Sequence, residues 1–176
     1  MKLIKPLMAI GFAIALNQSV AMAQSPADLN DLEIAHVAYT ADNIDIRYAH
    51  LALALSNNKA VHEFASTMIR DHEAVNELAL ALLAKLDAQP QDNFLSMTLQ
   101  RNSEDLIDNM RKLSGAEFDI FYAKNEVAYH KAVIDLVANA FIPNIENDEV
   151  KSLFEEALAI FEAHKIHAEN MLNEVM

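Results

Sequence analysis

The sequence has 176 residues, with 26 acidic against 13 basic side chains and a formal net charge of −13 at pH 7. So acidic a chain repels the phosphate backbone, which argues against nucleic acid as a partner. The chain has no cysteine, which excludes thiolate metal sites, redox thiols and cysteine nucleophiles. With only 2 glycines, it also lacks the glycine-rich loops that cradle nucleotide phosphates.

Residues 1–23 have the pattern of a secretory signal peptide. A basic start at Lys2 and Lys5 precedes an apolar run, and a motif of small residues ends at Ala23. We therefore expect cleavage after Ala23 and a periplasmic protein with one domain, residues 24–176. The apolar run is too short to span a bilayer comfortably and no second run follows it, so we expect no membrane insertion after cleavage.

The remaining chain predicts an all-α domain, because Ala, Leu and Glu are frequent and helix breakers are rare. Ser25 before Pro26, and a capping-box pattern from Ser114 to Glu117, predict two of the helix starts. Asn147 is the expected N-cap of the last helix. In chain order, we predict helix 1 over residues 25–55, helix 2 over 59–88, a short helix over 103–113, helix 3 over 114–141, and helix 4 from 147 onward.

Two tight turns and one long connection between helices 2 and 3 are typical of a four-helix bundle with a crossover. The short helix lies within that connection. We see no internal repeat and no second domain in the sequence.

Each long helix carries a polar, metal-competent side chain within its apolar stripe. Such groups cost free energy in a core unless they are paired or coordinated. Counting residues outward from the two turns places the groups of each antiparallel pair at a similar depth. Imidazole together with carboxylate suits Zn²⁺, Fe or Cu(II), whereas Mg²⁺ and Ca²⁺ favour oxygen ligands. The sequence therefore predicts a buried site for a divalent transition metal, formed by Asp45, His72, Glu126, His130 and His164.

Three further residues are candidates for supporting those ligands. Asp71 directly precedes His72, and both Asp119 and Tyr122 lie on the helical row that contains Glu126.

The sequence also allows an alternative to a metal site, since a histidine in an apolar stripe is most often hydrogen-bonded to another polar group. A metal-free network of histidines and acids would then hold the helices in register, in a structural or stress-related interaction protein. A redox enzyme at the same site is a weaker third possibility. No Ser/His/Asp arrangement is visible, and the sequence favours no catalytic role. It does not indicate a protein partner or an oligomeric state.

Two short motifs resemble a known family. The pattern M-x-x-D-H at 68–72 and the pattern G-x-x-F-D-x-x-Y at 115–122, followed by His130 and His164, are similar to the exported bacterial ferritin-like family called domain of unknown function 4142. The resemblance covers residues 31–172. It implies a ferritin-like four-helix fold and a periplasmic location, and it brings no established activity.

Two departures bear on the site. Similar proteins have Glu on helix 1, followed four residues later by Gly, where this chain has Asp45 and Ala49. Ferritin-like di-iron enzymes also use two Glu-x-x-His elements. No Glu stands three residues before His72, His130 or His164. The sequence therefore does not predict a di-iron oxidase.

Overall fold

A computed structural model describes residues 24–176, and all regular secondary structure in that part of the chain is helical. This confirms the predicted all-α class. The predicted signal peptide, residues 1–23, lies outside the described residues. None of the helices within 24–176 is long and apolar enough to cross a membrane. The five helices are α1 (Asp31–Leu55), α2 (Lys59–Lys85), α3 (Phe94–Met110), α4 (Gly115–Leu136) and α5 (Asp148–Val175).

Helices α1, α2, α5 and α4 form the bundle, in that order around its axis. The α1–α2 and α4–α5 pairs have the largest interfaces, and α2 also packs on α5, as α1 does on α4. At one end, Ser56 in the α1–α2 turn donates a hydrogen bond to Asp119 in the first turns of α4. At the other end, Asp31 at the start of α1 accepts hydrogen bonds from the backbone of the α4–α5 turn. Neighbouring helices of the bundle are therefore antiparallel.

Helix α3 makes this arrangement possible, because it carries the chain back along the outside of α1. Asn93, just before α3, donates a hydrogen bond to the carbonyl of Glu33 near the start of α1. Farther along both helices, Arg47 pairs with Glu104 at 2.8 Å. The predicted crossover connection is therefore present, and its helix runs the length that the chain must cover before α4 begins.

Two predicted helix starts are wrong, and in both cases an asparagine caps the helix. Ser25 and Pro26 begin only a short 3₁₀ turn, Pro26–Asp28, while α1 starts at Asp31 after the side chain of Asn30 accepts two backbone N–H groups. Asn93 caps α3 in the same way. Helix α3 consequently starts at Phe94 and not at residue 103, because the local cap satisfies the free N–H groups of the first turn.

Other boundaries differ in smaller ways. Helix α2 ends at Lys85, before Asp87 adopts a left-handed conformation with φ of +50°. At the start of α4, Ser114 makes no capping hydrogen bond, so the predicted capping box is wrong. The chain enters α4 through Gly115 at φ +56°, a conformation open to glycine. One π-helical turn, Val137–Phe141, extends α4, and Asn147 caps α5 as predicted.

The interior consists of two apolar clusters. One lies toward the α1–α2 turn and includes Phe64, Met68 and Phe118. The other lies toward the α4–α5 turn and includes Phe141 and Phe154. Between them, the four bundle helices contribute a layer of buried polar side chains. Apolar packing on both sides keeps bulk water from this layer, which raises the cost of any polar atom left unpaired there.

Candidate metal centre

The polar layer joins all four helices of the bundle. The three histidine rings lie close together, with centroids 5.2 Å apart for His72 and His164, 5.5 Å for His130 and His164, and 6.0 Å for His72 and His130. No side chain of the layer belongs to a residue more than 4% exposed. Its members are Asp42 and Asp45 from α1, His72 from α2, Glu126 and His130 from α4, and His164 from α5.

Each imidazole is held through one of its two ring nitrogens. In every case the partner is an oxygen that accepts the ring N–H, which in a neutral imidazole leaves the lone pair on the other nitrogen. Metal-binding histidines are oriented by this same kind of contact. The contacts are His72 Nδ1 to Asp42 Oδ1 at 2.7 Å, His130 Nδ1 to the Glu126 carbonyl at 2.9 Å, and His164 Nε2 to Asp71 Oδ2 at 3.0 Å.

The second nitrogen of each ring is buried and has no hydrogen-bond partner. The same holds for both carboxylate oxygens of Asp45 and for Oε2 of Glu126. Oδ2 of Asp45 lies 2.8 Å from His72 Nε2 and 3.4 Å from His130 Nε2, but neither contact has the alignment of a hydrogen bond. Six buried polar atoms therefore lack hydrogen-bond partners within one layer, and leaving such atoms unmatched is costly.

The side chains of the layer are close enough to share an ion. One nitrogen from each of His72, His130 and His164 lies within 4.8 Å of the other two, and the ligand atoms of Asp45, Glu126 and His130 meet the same limit. Adjacent donors on a tetrahedral Zn²⁺ are about 3.3 Å apart, given bonds of about 2.0–2.1 Å. Within either group, a side-chain shift of roughly 1 Å would therefore bring the three donors onto one ion.

The charges of the layer are arranged around His72. Burial works against protonation of this ring, but the charge of Asp45, the hydrogen bond to Asp42 and the 2.8 Å contact with Asp45 raise its pKa to about 10. Burial likewise opposes ionisation of Asp45, yet His72 and, more weakly, His130 lower its pKa to about 2. Without a bound cation, His72 is therefore an imidazolium between two carboxyl groups.

The pKa values of His130, His164 and Glu126 are shifted in the direction that favours the neutral form of each group. Burial lowers the pKa of His164 to about 4, against its contact with Asp71, and burial also lowers the pKa of His130. Burial, and then the charge of Asp45, raises the pKa of Glu126 well above its usual range. Two imidazoles are thus neutral at pH 7, as coordination requires, while His72 carries a proton that a metal would have to displace.

The three predicted supporting residues lie in different places. Asp71 is at the edge of the bundle, where its half-exposed carboxylate touches both His164 and Arg70. Tyr122 is fully buried with an unpartnered hydroxyl, and burial, followed by the charges of Glu126 and Asp45, raises its pKa. Asp119 instead accepts a hydrogen bond from Ser56 at 2.6 Å, away from the histidines.

Sequence reasoning missed Asp42, which holds His72. The available signal was its spacing: Asp42 stands three residues before Asp45, so both carboxylates lie on neighbouring parts of one helical face. A second acid so placed is a natural partner for a buried histidine.

Fold and site together define an all-α helical bundle with a buried histidine–carboxylate cluster. Residues 16–171 match the family described as Domain of unknown function (DUF4142), and the chain belongs to that family. This confirms the resemblance seen in the two sequence motifs. No curated protein and no solved structure gives a significant match to the chain.

Proposed function

We propose that this protein is a periplasmic, ferritin-like bundle that holds one divalent transition metal ion in its core and thereby sequesters or buffers it. The ligands are Nε2 of His72, Nε2 of His130 and Nδ1 of His164, with carboxylate oxygens of Asp45 and Glu126. One observation carries the proposal: these are the atoms of the layer that are buried and lack hydrogen-bond partners.

The donor set fits a transition metal. Three imidazoles with one or two carboxylates suit Zn²⁺, Fe or Cu(II), and they suit Mg²⁺ and Ca²⁺ poorly. The two close groups of metal-competent side chains within residues 24–176 share His130, which supports one centre. Contacts from Asp42, the Glu126 carbonyl and Asp71 orient the rings in advance, and such contacts strengthen metal binding.

One observation favours a second candidate, a metal-free structural or interaction protein. The His72 ring lies within 2.7 Å of Asp42 and 2.8 Å of Asp45, so a proton on this ring already joins α1 to α2. That arrangement would register the helices without an ion. It leaves the free nitrogens of His130 and His164 unexplained, which is why we place it second.

Metal analysis of the native protein separates the two candidates. The chain should be purified from the periplasm without a histidine tag and its metal content measured. Thermal unfolding of the metal-free protein should then be followed with added Zn²⁺, Cu²⁺, Fe²⁺ or Mn²⁺. An ion that binds only the folded state at a hundredfold excess over Kd stabilises it by about 2.7 kcal/mol.

The variant His72→Ala should lose this metal-dependent increment, while His50→Ala should keep it, because His50 lies exposed on α1. The readout is the difference between melting temperatures with and without metal, so a general loss of stability in a variant cancels. Purified protein without metal, together with no specific shift for any of the four ions, would support the metal-free alternative.

A further inference from the structure

An apolar cavity of about 120 Å³ lies between α1, α3, α4 and α5, next to the polar layer. Its wall is built mainly from aliphatic and aromatic side chains, among them Leu99, Val133, Leu136 and Phe141. Ala132 of α4 is exposed and also lines the cavity, so it lies at its outer edge.

The wall offers little to hold water. Among the lining residues, Asp42 and Tyr129 carry the polar side-chain groups. The hydroxyl of Tyr129 donates to the carbonyl of Ala41 at 2.8 Å, and Oδ1 of Asp42 accepts a hydrogen bond from Nδ1 of His72. Oδ2 of Asp42 is the one carboxylate oxygen of the wall outside that contact. A buried water needs two to four polar partners, and apolar cavities without them stay dry. This cavity therefore suits an apolar occupant.

The volume limits what can enter. A dry protein cavity of about 150 Å³ accepts benzene or xenon. A cavity of about 120 Å³ has room for a molecule no larger than this, and its lining cannot satisfy a charged or strongly polar one.

Two residues of the inner cavity wall also contact His72 and hold its ring in place. Asp42 and Phe161 both line the cavity. Asp42 accepts the Nδ1 proton of His72, and the Phe161 ring stacks on the imidazole with centroids 5.6 Å apart and planes 19° apart. An occupant of the cavity would thus contact both residues that position this ring.

We propose that this cavity is a binding site for a small, uncharged, apolar molecule of the size of dioxygen or nitric oxide, held against the Asp42–His72 pair. Occupancy itself needs no metal. The proposed binding does not rest on the proposed function, so it is tested on metal-free protein.

Xenon is the probe, because it is apolar and monoatomic and fits such cavities. Methyl resonances of the metal-free protein should be followed by NMR as xenon pressure increases. The expected result is a set of saturable shifts at Val133, Leu136 and Val137. Ala132→Phe fills the outer edge of the cavity and should weaken xenon binding by roughly tenfold.

Ala128→Phe is the matched control, since Ala128 is exposed one turn earlier on α4 and does not line the cavity. It should bind xenon like the parent protein. If Ala132→Phe fails to fold, Ala132→Leu makes the same test with a smaller side chain. Shifts that do not saturate, shifts confined to other parts of the core, or equal binding by the two Phe variants would each overturn the proposal. None of these results depends on whether the polar layer binds a metal.

Discussion

The carboxylate of Asp42 accepts a hydrogen bond from Nδ1 of His72 at 2.7 Å, and this contact leaves Nε2 of the ring directed to the other groups of the polar layer. An acid on α1 thereby orients a candidate ligand on α2. The role of Asp42 is that of a positioning residue, and it can be separated experimentally from the ligands themselves.

Replacing Asp42 by Asn should weaken metal binding about 10- to 100-fold, the usual cost of losing such an orienting partner. The amide keeps the size of the side chain but removes its charge. Competition with a chelator of known affinity measures the change. Asp105→Asn, at an exposed position on α3, is the control and should bind like the parent protein. Equal affinities for both variants would contradict an orienting role for Asp42.

Metal affinity should rise steeply with pH. An ordinary histidine would limit binding only below about pH 6.5. The pKa of His72 is raised to about 10 by its two acidic neighbours, so a metal must displace a proton from this ring at any pH below that value. Release of one proton increases the affinity about tenfold per pH unit between pH 7 and 9. Chelator competition across this range tests the slope, and a flat profile would exclude His72 as a ligand.

The metal-free protein should lose stability on acidification through His164. Its folded pKa of about 4 lies below the unfolded value of 6.5, so its contribution to stability is present above pH 6.5 and is lost as the pH falls to 4. The loss amounts to roughly 3 kcal/mol. Urea unfolding at pH 7 and pH 4 should show a smaller decrease for His164→Gln than for the parent. The exposed control, His50→Gln, should show the full decrease.

The contact between Ser56 and Asp119 should matter for stability and not for metal binding. Ser56→Ala leaves a buried carboxylate without its 2.6 Å partner at the junction of α4 with the α1–α2 turn. We expect a loss of about 1–3 kcal/mol in the free energy of unfolding, measured in denaturant. Ser66→Ala, exposed on α2, should be neutral. A changed metal affinity in Ser56→Ala would show that Asp119 supports the centre after all.

We predict that the protein is exported and that its mature form begins at Gln24. Intact-mass measurement of protein recovered from the periplasm tests this, because removal of residues 1–23 changes the mass by an amount that the sequence defines. Retention of Met1 in that fraction would contradict the predicted cleavage after Ala23.

Helical periodicity is a local property, so the positions of the long helices could be predicted from the sequence. The spacing of apolar residues indicated four long helices and marked His72, His130 and His164 as polar groups within apolar stripes. Two short turns and one long connection indicated the crossover. The starts of α1 and α3 were less readable. Several residues near each start can cap a helix. Asn30 is followed by Asp31, which binds the backbone of the α4–α5 turn, and the side chain of Asn93 also donates to the carbonyl of Glu33 on α1. Both contacts join parts of the chain that are far apart in sequence.

The candidate site likewise has features that the sequence predicts and features that depend on the tertiary structure. By itself, the sequence determined that each bundle helix offers a metal-competent group at a similar depth, since depth follows from residue counts along antiparallel helices. Only the tertiary structure decided that Asp42 holds His72, that Asp119 binds Ser56, and which ring nitrogens remain free. The reason is geometric: hydrogen-bond partners depend on how far each helix is rotated about its axis, and a difference of a few ångströms selects one acid over another.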